Sequence, residues 1–385
     1  MLETIFEVAI IIGIGAGLVQ LSILLWELTI KRSTPHFPSS YVGISILKPL
    51  KGLDDQLENN LLTFFSQIYP KYEIILGVSD RQDPAYVIAD RVRRQFPSIS
   101  SKLIICDKHI GLNPKVNSLS CMYDLTTFDH ILISDSNIAV QPDYLQSMVG
   151  YFQFHKLNLL TATVRGMAGK RLGSIMENLH LNTTVAASVL AARILCNRPL
   201  SLGKSFLITK QALERVGGFP AFRNVLGEDF LMGDAVRNMG MRVRTAPLPV
   251  NNINENWSLK QFSNRHSRWA KMRKHACIEF YLLEHLINPV FLAFIYLLLS
   301  PGWLSSQQFF MIALLITFID TLMLRTMKSD LRSYQHFLIP VKDIIIGIIW
   351  FLPFFSSKIV WRGNYYRITK NTVLVPFMRG GQNAS

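Results

Sequence analysis

With 385 residues, a net charge of +14 and 49% hydrophobic residues, the chain is too long for one minimal domain and too apolar to be soluble throughout. The apolar excess collects in residues 5–28 and beyond Phe280, which leaves one soluble domain between membrane segments. The positive charge does not indicate nucleic acid, because no aromatic-and-basic RNA motif, zinc-finger spacing or single basic tract accompanies it.

Lys and Arg gather instead beside the apolar runs, at Lys31-Arg32 and in residues 265–274, 325–332 and 358–370, where anionic headgroups attract them. Cys106, Cys121, Cys196 and Cys277 stand apart, with no C-x-x-C pair and no His at metal-ligand spacing. That pattern argues against a zinc site and a disulfide framework, and it fits a reducing, cytosolic compartment.

Residues 5–28 are long enough to cross a bilayer, and the Lys31-Arg32 flank marks the cytosolic side. A signal peptide would need a basic start and a small-residue cleavage pattern, and neither is present. Gly13, Gly15 and Gly17 resemble part of a dinucleotide fingerprint, yet no strand precedes them. Packing of a membrane helix through small residues accounts for them better. The expected division is an anchor and linker over 1–40, a cytosolic catalytic domain over 41–280 and a membrane region over 281–385.

From Tyr41 onward, β-rich runs at 43–47, 72–78, 102–106 and 130–134 alternate with helical stretches at 56–67, 85–95 and 115–123. This rhythm predicts an α/β domain with a parallel sheet. Ligands of such sheets bind beyond the carboxyl ends of the strands, where Asp80 and Asp135 fall. After Phe280 come apolar stretches at 286–299, 309–324 and 344–355. The first two look able to span. The third is short, follows Lys342-Asp343 and contains Pro353, so a re-entrant hairpin is as good a reading as a crossing.

Four groups of residues have the chemistry of a nucleotide-diphosphate site. Asp80, in Ser79-Asp80-Arg81-Gln82-Asp83-Pro84, is expected at the crevice, where it can bond the base or ribose, while Asp83 caps the next helix. Asp135, in Ser134-Asp135-Ser136-Asn137, ends an apolar strand and can hold a divalent cation against a diphosphate. Asn137 stands where a two-carboxylate site has its second Asp, and turn chemistry is the competing account of Asp135. Glu228 and Asp229 open a helix over 230–238, whose dipole favours the ionised form of a base; capping competes for one of them. Arg265, Arg268 and Trp269 share a helix face, suited to a diphosphate or simply to lipid headgroups.

These groups occur in the order of the family 2 type of GT-A glycosyltransferase fold, and between Ile44 and Arg367 the chain resembles the ceramide glucosyltransferase family. The segments that carry the resemblance are Ile46-Leu47-Lys48-Pro49-Leu50-Lys51-Gly52, Tyr69-Pro70-Lys71-Tyr72-Glu73, Asn113-Pro114-Lys115-Val116-Asn117, Asp135-Ser136, Glu228-Asp229, Arg265-x-x-Arg268-Trp269 and Trp361-Arg362-Gly363. The resemblance implies an α/β GT-A domain with N-terminal and C-terminal membrane helices.

It further implies an inverting hexosyltransferase that uses a UDP-sugar such as UDP-glucose, a divalent cation (Mg2+ or Mn2+) and a membrane lipid acceptor. Asp229 matches the proton acceptor; Asp80, Lys115, Asp135, Arg265, Arg268 and Trp269 match donor-binding positions, with Asp135 also the metal ligand. The catalytic domain is expected on the cytosolic face of a multi-pass protein, in a bacterial inner membrane or its equivalent.

The acceptor half departs from animal relatives, which have a His-Pro pair where residues 182–192 are Thr, Val, Ala and Leu rich. A hopanoid or diacylglycerol acceptor stays open beside ceramide, since hopanoid-associated glycosyltransferases resemble the same core. A processive polysaccharide synthase also uses an R/Q-x-x-R-W box, but too few spans are expected for a polymer channel. A non-catalytic membrane protein would not need acids clustered in its soluble part.

Overall fold

The computed structural model describes residues 2–30, 37–361 and 363–377. Lys31, Arg32 and Arg362, used above, lie outside the described residues. The chain forms two compact units, one of Glu27–Met167 and Ser188–Asn254, the other of Met1–Trp26, Ala168–Ala187 and Glu255–Ser385.

The first unit is built on an eight-stranded sheet. Its strands are β1 (Ile44–Pro49), β2 (Tyr72–Val78), β3 (Ser100–Ile105), β4 (His130–Ser134), β5 (Ile138–Ala139), β6 (Leu159–Met167), β7 (Ser205–Thr209) and β8 (Val243–Ile253). The order is β3-β2-β1-β4-β7-β6-β8-β5. β1 and β2 are buried along their whole length, as short runs rich in Ile and Leu are when a parallel sheet is covered on both faces. Parallel pairing joins β3, β2, β1 and β4, with Ile44 opposite Tyr72 on one side and His130 on the other.

The fold is α/β as expected, but the sheet is mixed rather than parallel throughout. β7 runs antiparallel to both β4 and β6, while β6 and β8 are parallel to each other. The β-helix rhythm breaks after β4, and these later pairings join residues far apart in sequence that no local pattern signals.

Two helices start beside the carboxyl edge of the parallel half. Pro84–Gln95 begins at Asp83, whose side chain accepts from Ala85 N at 2.9 Å and from Gly52 N at 2.9 Å. Pro114–Tyr123 begins at Asn113, which accepts from the N–H groups of Lys115 and Val116 at 2.9 and 3.2 Å. In each, Pro takes the first helical position, where a missing N–H costs nothing. Val116 and Leu119 then pack with Leu47, Ile75, Ile131, Ile133 and Met232 in the core, which fixes the first turn at the sheet edge.

The second unit is largely helical and carries a three-stranded antiparallel sheet of β9 (Lys358–Trp361), β10 (Asn364–Ile368) and β11 (Leu374–Pro376). Among the described residues, Glu3–Thr29, Trp303–Thr326 and Ser333–Phe355 are long and apolar enough to cross a membrane. The third C-terminal stretch falls within one of these, while the first belongs to a bent helix pair that is a broken span or a re-entrant loop. Asn288 caps and Pro289 starts a helix of only 11 residues, Pro289–Leu299, bent by 72° from Ile278–Ile287. Such a helix rises about 16 Å, roughly half of an apolar bilayer core.

The stretch 344–355, by contrast, lies within a 23-residue candidate span. The helix continues through Lys342-Asp343 because Lys342, fully buried, pairs with Asp343 at 2.8 Å and Asp320 at 3.4 Å, so neither charge is left bare.

Candidate active site

At the end of β4 the backbone delivers Asp135 to the carboxyl edge of the sheet, where it meets two lysines. Lys115 Nζ lies 2.8 Å from one carboxylate oxygen and Lys204 Nζ 3.1 Å from the other. Lys115 comes from the first turn of Pro114–Tyr123, and Lys204 immediately precedes β7. Lys115 also pairs with Glu228 at 3.1 Å and donates to the Gly203 carbonyl at 3.2 Å. Lys48, fully buried at the end of β1, donates to the backbone carbonyl of Asp135 at 2.7 Å and lies over the Phe64 ring at 3.8 Å.

Glu228 and Asp229 open the helix Glu228–Asn238. Glu228 does not cap it: its carboxylate accepts from the Asn113 side chain at 3.1 Å and pairs with Lys115. Asp229 accepts from Phe230 N at 2.8 Å and from Gly203 N. Gly203 is glycine for a steric reason, since a Cβ there would sit 2.5 Å from Asp229 Oδ2.

Charge is distributed unevenly among these acids. Burial pushes the Asp135 carboxyl up, but Lys115 and Lys204 outweigh it and hold the group well below the usual carboxylate range. The Lys115 ammonium is opposed by burial and rescued by Asp135, Glu228 and Asp229, which together raise its pKa. Asp229 moves the other way: burial, then the neighbouring Glu228, push it up to about 6. At the helix start, burial and Glu228 thus outweigh any lowering of the Asp229 pKa by the dipole. The same burial lowers Lys48 to about 7.

Asp80 lies on the exposed loop after β2, its carboxylate accepting from Gln82 N at 2.9 Å. The first unit thus brings together Lys115, Asp135 and Asp229 of the expected residues. It adds Lys48, which lay in a resembling segment without an assigned role, and Gly203 and Lys204, which no motif reading singled out. Lys204 and Gly203 were hidden because their positions depend on the antiparallel β4/β7 ladder.

Asp135 alone suits a metal such as Mg2+, which commonly binds one or two carboxylates and completes its shell with substrate phosphates and water. Among the described residues no group of three His, Cys, Asp or Glu side chains could hold an ion by itself. One Asp135 oxygen faces Lys204, whose long side chain can yield to a ligand, so the donor set fits a cation bound jointly with a diphosphate.

Arg265, Arg268 and Trp269 lie on the helix Leu259–Ala276 of the second unit, started by a capping box of Ser258 and Gln261. The Arg265 guanidinium stacks over Trp269 at 4.2 Å and Trp257 at 5.0 Å, and its Nε lies 3.3 Å from the Glu177 carboxylate. The other Glu177 oxygen meets His266 Nε2 at 2.7 Å. Arg268 and Trp269 are half-buried. Glu177 escaped notice in the sequence because a lone Glu within an amphipathic stretch carries no motif.

A parallel sheet half whose carboxyl edge presents an acid at the end of β4, beside a carboxylate pair at a later helix start, is an arrangement of the GT-A fold class. A mannosyltransferase from Pyrobaculum calidifontis, solved in complex with GDP-Man and Mn2+, shares the fold with a TM-score of 0.51 at 15% identity, covering 91% of this chain and 99% of that one.

The model of glycosyl transferase family 21 matches residues 7–374, and the chain belongs to that family. Ceramide glucosyltransferase 3 of Caenorhabditis elegans is 26% identical over 88% of this chain and 75% of its own length. Ceramide glucosyltransferase of Komagataella phaffii is 24% identical over 88% of this chain and 84% of its own. The protein is a glycosyltransferase, as the sequence motifs implied, with apolar helices at both ends of the chain.

Proposed function

We propose that this enzyme is an inverting hexosyltransferase that moves glucose from UDP-glucose onto the hydroxyl of a ceramide-like membrane lipid. The observation that carries the reading is the pairing, within one cluster, of a carboxyl pushed up to about 6, Asp229, with the lysine-held Asp135. A base must be ionised at working pH and still accept a proton, and a pKa just below neutrality meets both demands.

Asp229 takes the proton from the lipid hydroxyl as that oxygen attacks the anomeric carbon. Gly203 N–H and Lys115 fix its position, so the carboxylate is aimed before the acceptor arrives. Lys115 and Asp135 bind the diphosphate end of the donor, and Asp80 its nucleoside end. Asp135 would hold a divalent cation (Mg2+ or Mn2+), which when bound supplies positive charge to the departing diphosphate. Arg265, Arg268 and Trp269 complete the donor-binding set, Arg265 with its guanidinium supported by Glu177.

Direct displacement needs no covalent intermediate, and the anomeric centre inverts. The names of the family relatives support ceramide as acceptor; a hopanoid or diacylglycerol is the alternative. Residues 41–280 make the catalytic domain, on the cytosolic face of the membrane, between an anchor over 1–40 and a membrane region over 281–385.

A crossed screen of UDP-sugars against ceramide, diacylglycerol and hopanoid acceptors, with mass detection of the product, tests the reading. Glucosylceramide formed from UDP-glucose is the expected result. A polymer product or no turnover with any pair refutes it. Orientation has its own check: a cysteine placed at the exposed Ser98 should react with an impermeant reagent only after the membrane is opened.

A further inference from the structure

Three lysines surround Asp135, and they are not equally committed. An ammonium has three donors. Lys115 directs its own at Asp135, Glu228 and the Gly203 carbonyl, at 2.8, 3.1 and 3.2 Å. Moving it would strip a buried glutamate of its counter-charge. Lys48 has no exposed surface, is bonded to the Asp135 carbonyl and is covered by the Phe64 ring. Neither of these can leave its present partners cheaply.

Lys204 differs in how it is held. Ser134 and Ser205 form the last pair of the β4/β7 ladder, and Asp135 N donates to the Lys204 carbonyl at 3.1 Å. Asp135 and Lys204 are therefore the next rung, opposite each other across the two strands, and side chains on one rung emerge on the same face. The Lys204 backbone is fixed while its four-carbon stem keeps its reach.

Its ammonium lies 3.1 Å from Asp135 Oδ2 and 3.1 Å from Asn137 Oδ1. Asn137 is the residue that stands in place of a second acid, so there Lys204 meets a neutral amide rather than a carboxylate. Asp135 retains Lys115 if Lys204 leaves. At 16% side-chain exposure Lys204 is also slightly more exposed than Lys115, at 11%.

We propose that Lys204 is a donor-binding residue, poised on Asp135 in the free enzyme and transferred to the diphosphate of the nucleotide when the donor binds. The proposal rests on the nucleotide-sugar reading above. It gives the site a positive charge of its own for the diphosphate, delivered from β7 and independent of any cation at Asp135. Asp135 thereby becomes a parking place for the lysine, which keeps the ammonium ordered before the ligand arrives.

The test is calorimetric titration of the purified full-length protein in detergent with UDP and with uridine, in chelator and in Mn2+. Wild type should bind UDP more tightly than uridine in both solutions. Lys204→Met should weaken UDP about 10- to 100-fold, the usual worth of one hydrogen bond to a charged group, and leave uridine binding within twofold. Lys204→Gln, which keeps polarity and length, should show the same loss, and Lys204→Arg should restore most of the affinity.

Unchanged UDP affinity in Lys204→Met and Lys204→Gln overturns the proposal. Equal loss of UDP and uridine overturns it too, because the residue would then be structural. Wild-type protein that binds neither compound removes the nucleotide reading itself, a result distinct from the other two.

Discussion

Two buried charge clusters in this enzyme use similar ingredients and come out differently. Around Asp135 three carboxylates face lysines at the edge of a sheet, and the Asp135 side chain keeps 23% of its surface exposed. In the second unit Glu177 is sealed, with no exposed side-chain surface, against His266 at 2% and Arg265 at 10%. Burial lowers His266 despite the adjacent Glu177, so its imidazole favours the neutral form and the ion pair is that of Arg265.

The contrast shows what turns a buried acid into a reactive one. Asp229 has a like charge beside it in Glu228, and that charge joins burial in raising its pKa. Glu177 instead has a guanidinium and an imidazole beside it. One arrangement raises the pKa of an acid, as the proposed proton acceptor requires; the other holds a helix and its arginine in place.

Substitutions should separate the two clusters by what they damage. Asp229→Asn keeps size and hydrogen bonding but cannot accept the proton, so kcat should fall by roughly 10² to 10⁴ fold, with UDP-sugar binding and thermal stability retained. Normal turnover in this variant, with Glu228→Gln inactive, would move the base to Glu228. Normal turnover in both would end the proposed mechanism.

Glu177→Gln should do the reverse and strike stability first. Removing one partner of a buried pair leaves the Arg265 charge uncompensated, a loss of about 3–5 kcal/mol. A thermal melt indistinguishable from wild type would mean that this cluster is not the sealed brace described here.

Arg268→Lys should lower donor affinity or kcat/KM about tenfold without changing the melt, since a guanidinium fork engages two phosphate oxygens and an ammonium does not. Wild-type kinetics would assign the helix Leu259–Ala276 to headgroup contact alone.

The smallest effect is on pH dependence. The proton acceptor must be unprotonated, so turnover should rise with pH through about 6, where the Asp229 carboxyl titrates, and decline below it. Asp229→Asn should abolish that limb of the profile. A limb that persists in the variant belongs to another group.

Much of the framework was legible from residue order. Short β-rich runs bounded by Pro, Gly and Asp placed β1 to β4 within two residues of their observed ends, and Asp83 caps its helix as its spacing before Pro84 indicated. Asp135 could be assigned to a strand end because an apolar strand followed by Asp is a local pattern. The later strands were not legible, since β6, β7 and β8 pair with partners distant in sequence, as Asn252 does with Ile138. The bend before Pro289 and the continuity of the helix through Lys342 were not legible either. Hydropathy counts a lysine as a cost, whereas the fold supplies Asp320 and Asp343 to cancel it.

The order of apolar and charged residues by itself determined the class of fold, the family and the identity of the principal acids, because motif spacing and period are properties of the chain. Only the tertiary structure decided what those acids are. Asp135 is a strong acid and Asp229 a weak one because lysines from β7 and from Pro114–Tyr123 converge on the first, while Glu228 and burial act on the second. Electrostatic energy falls with distance, and the distances between these groups exist only once the strands have paired.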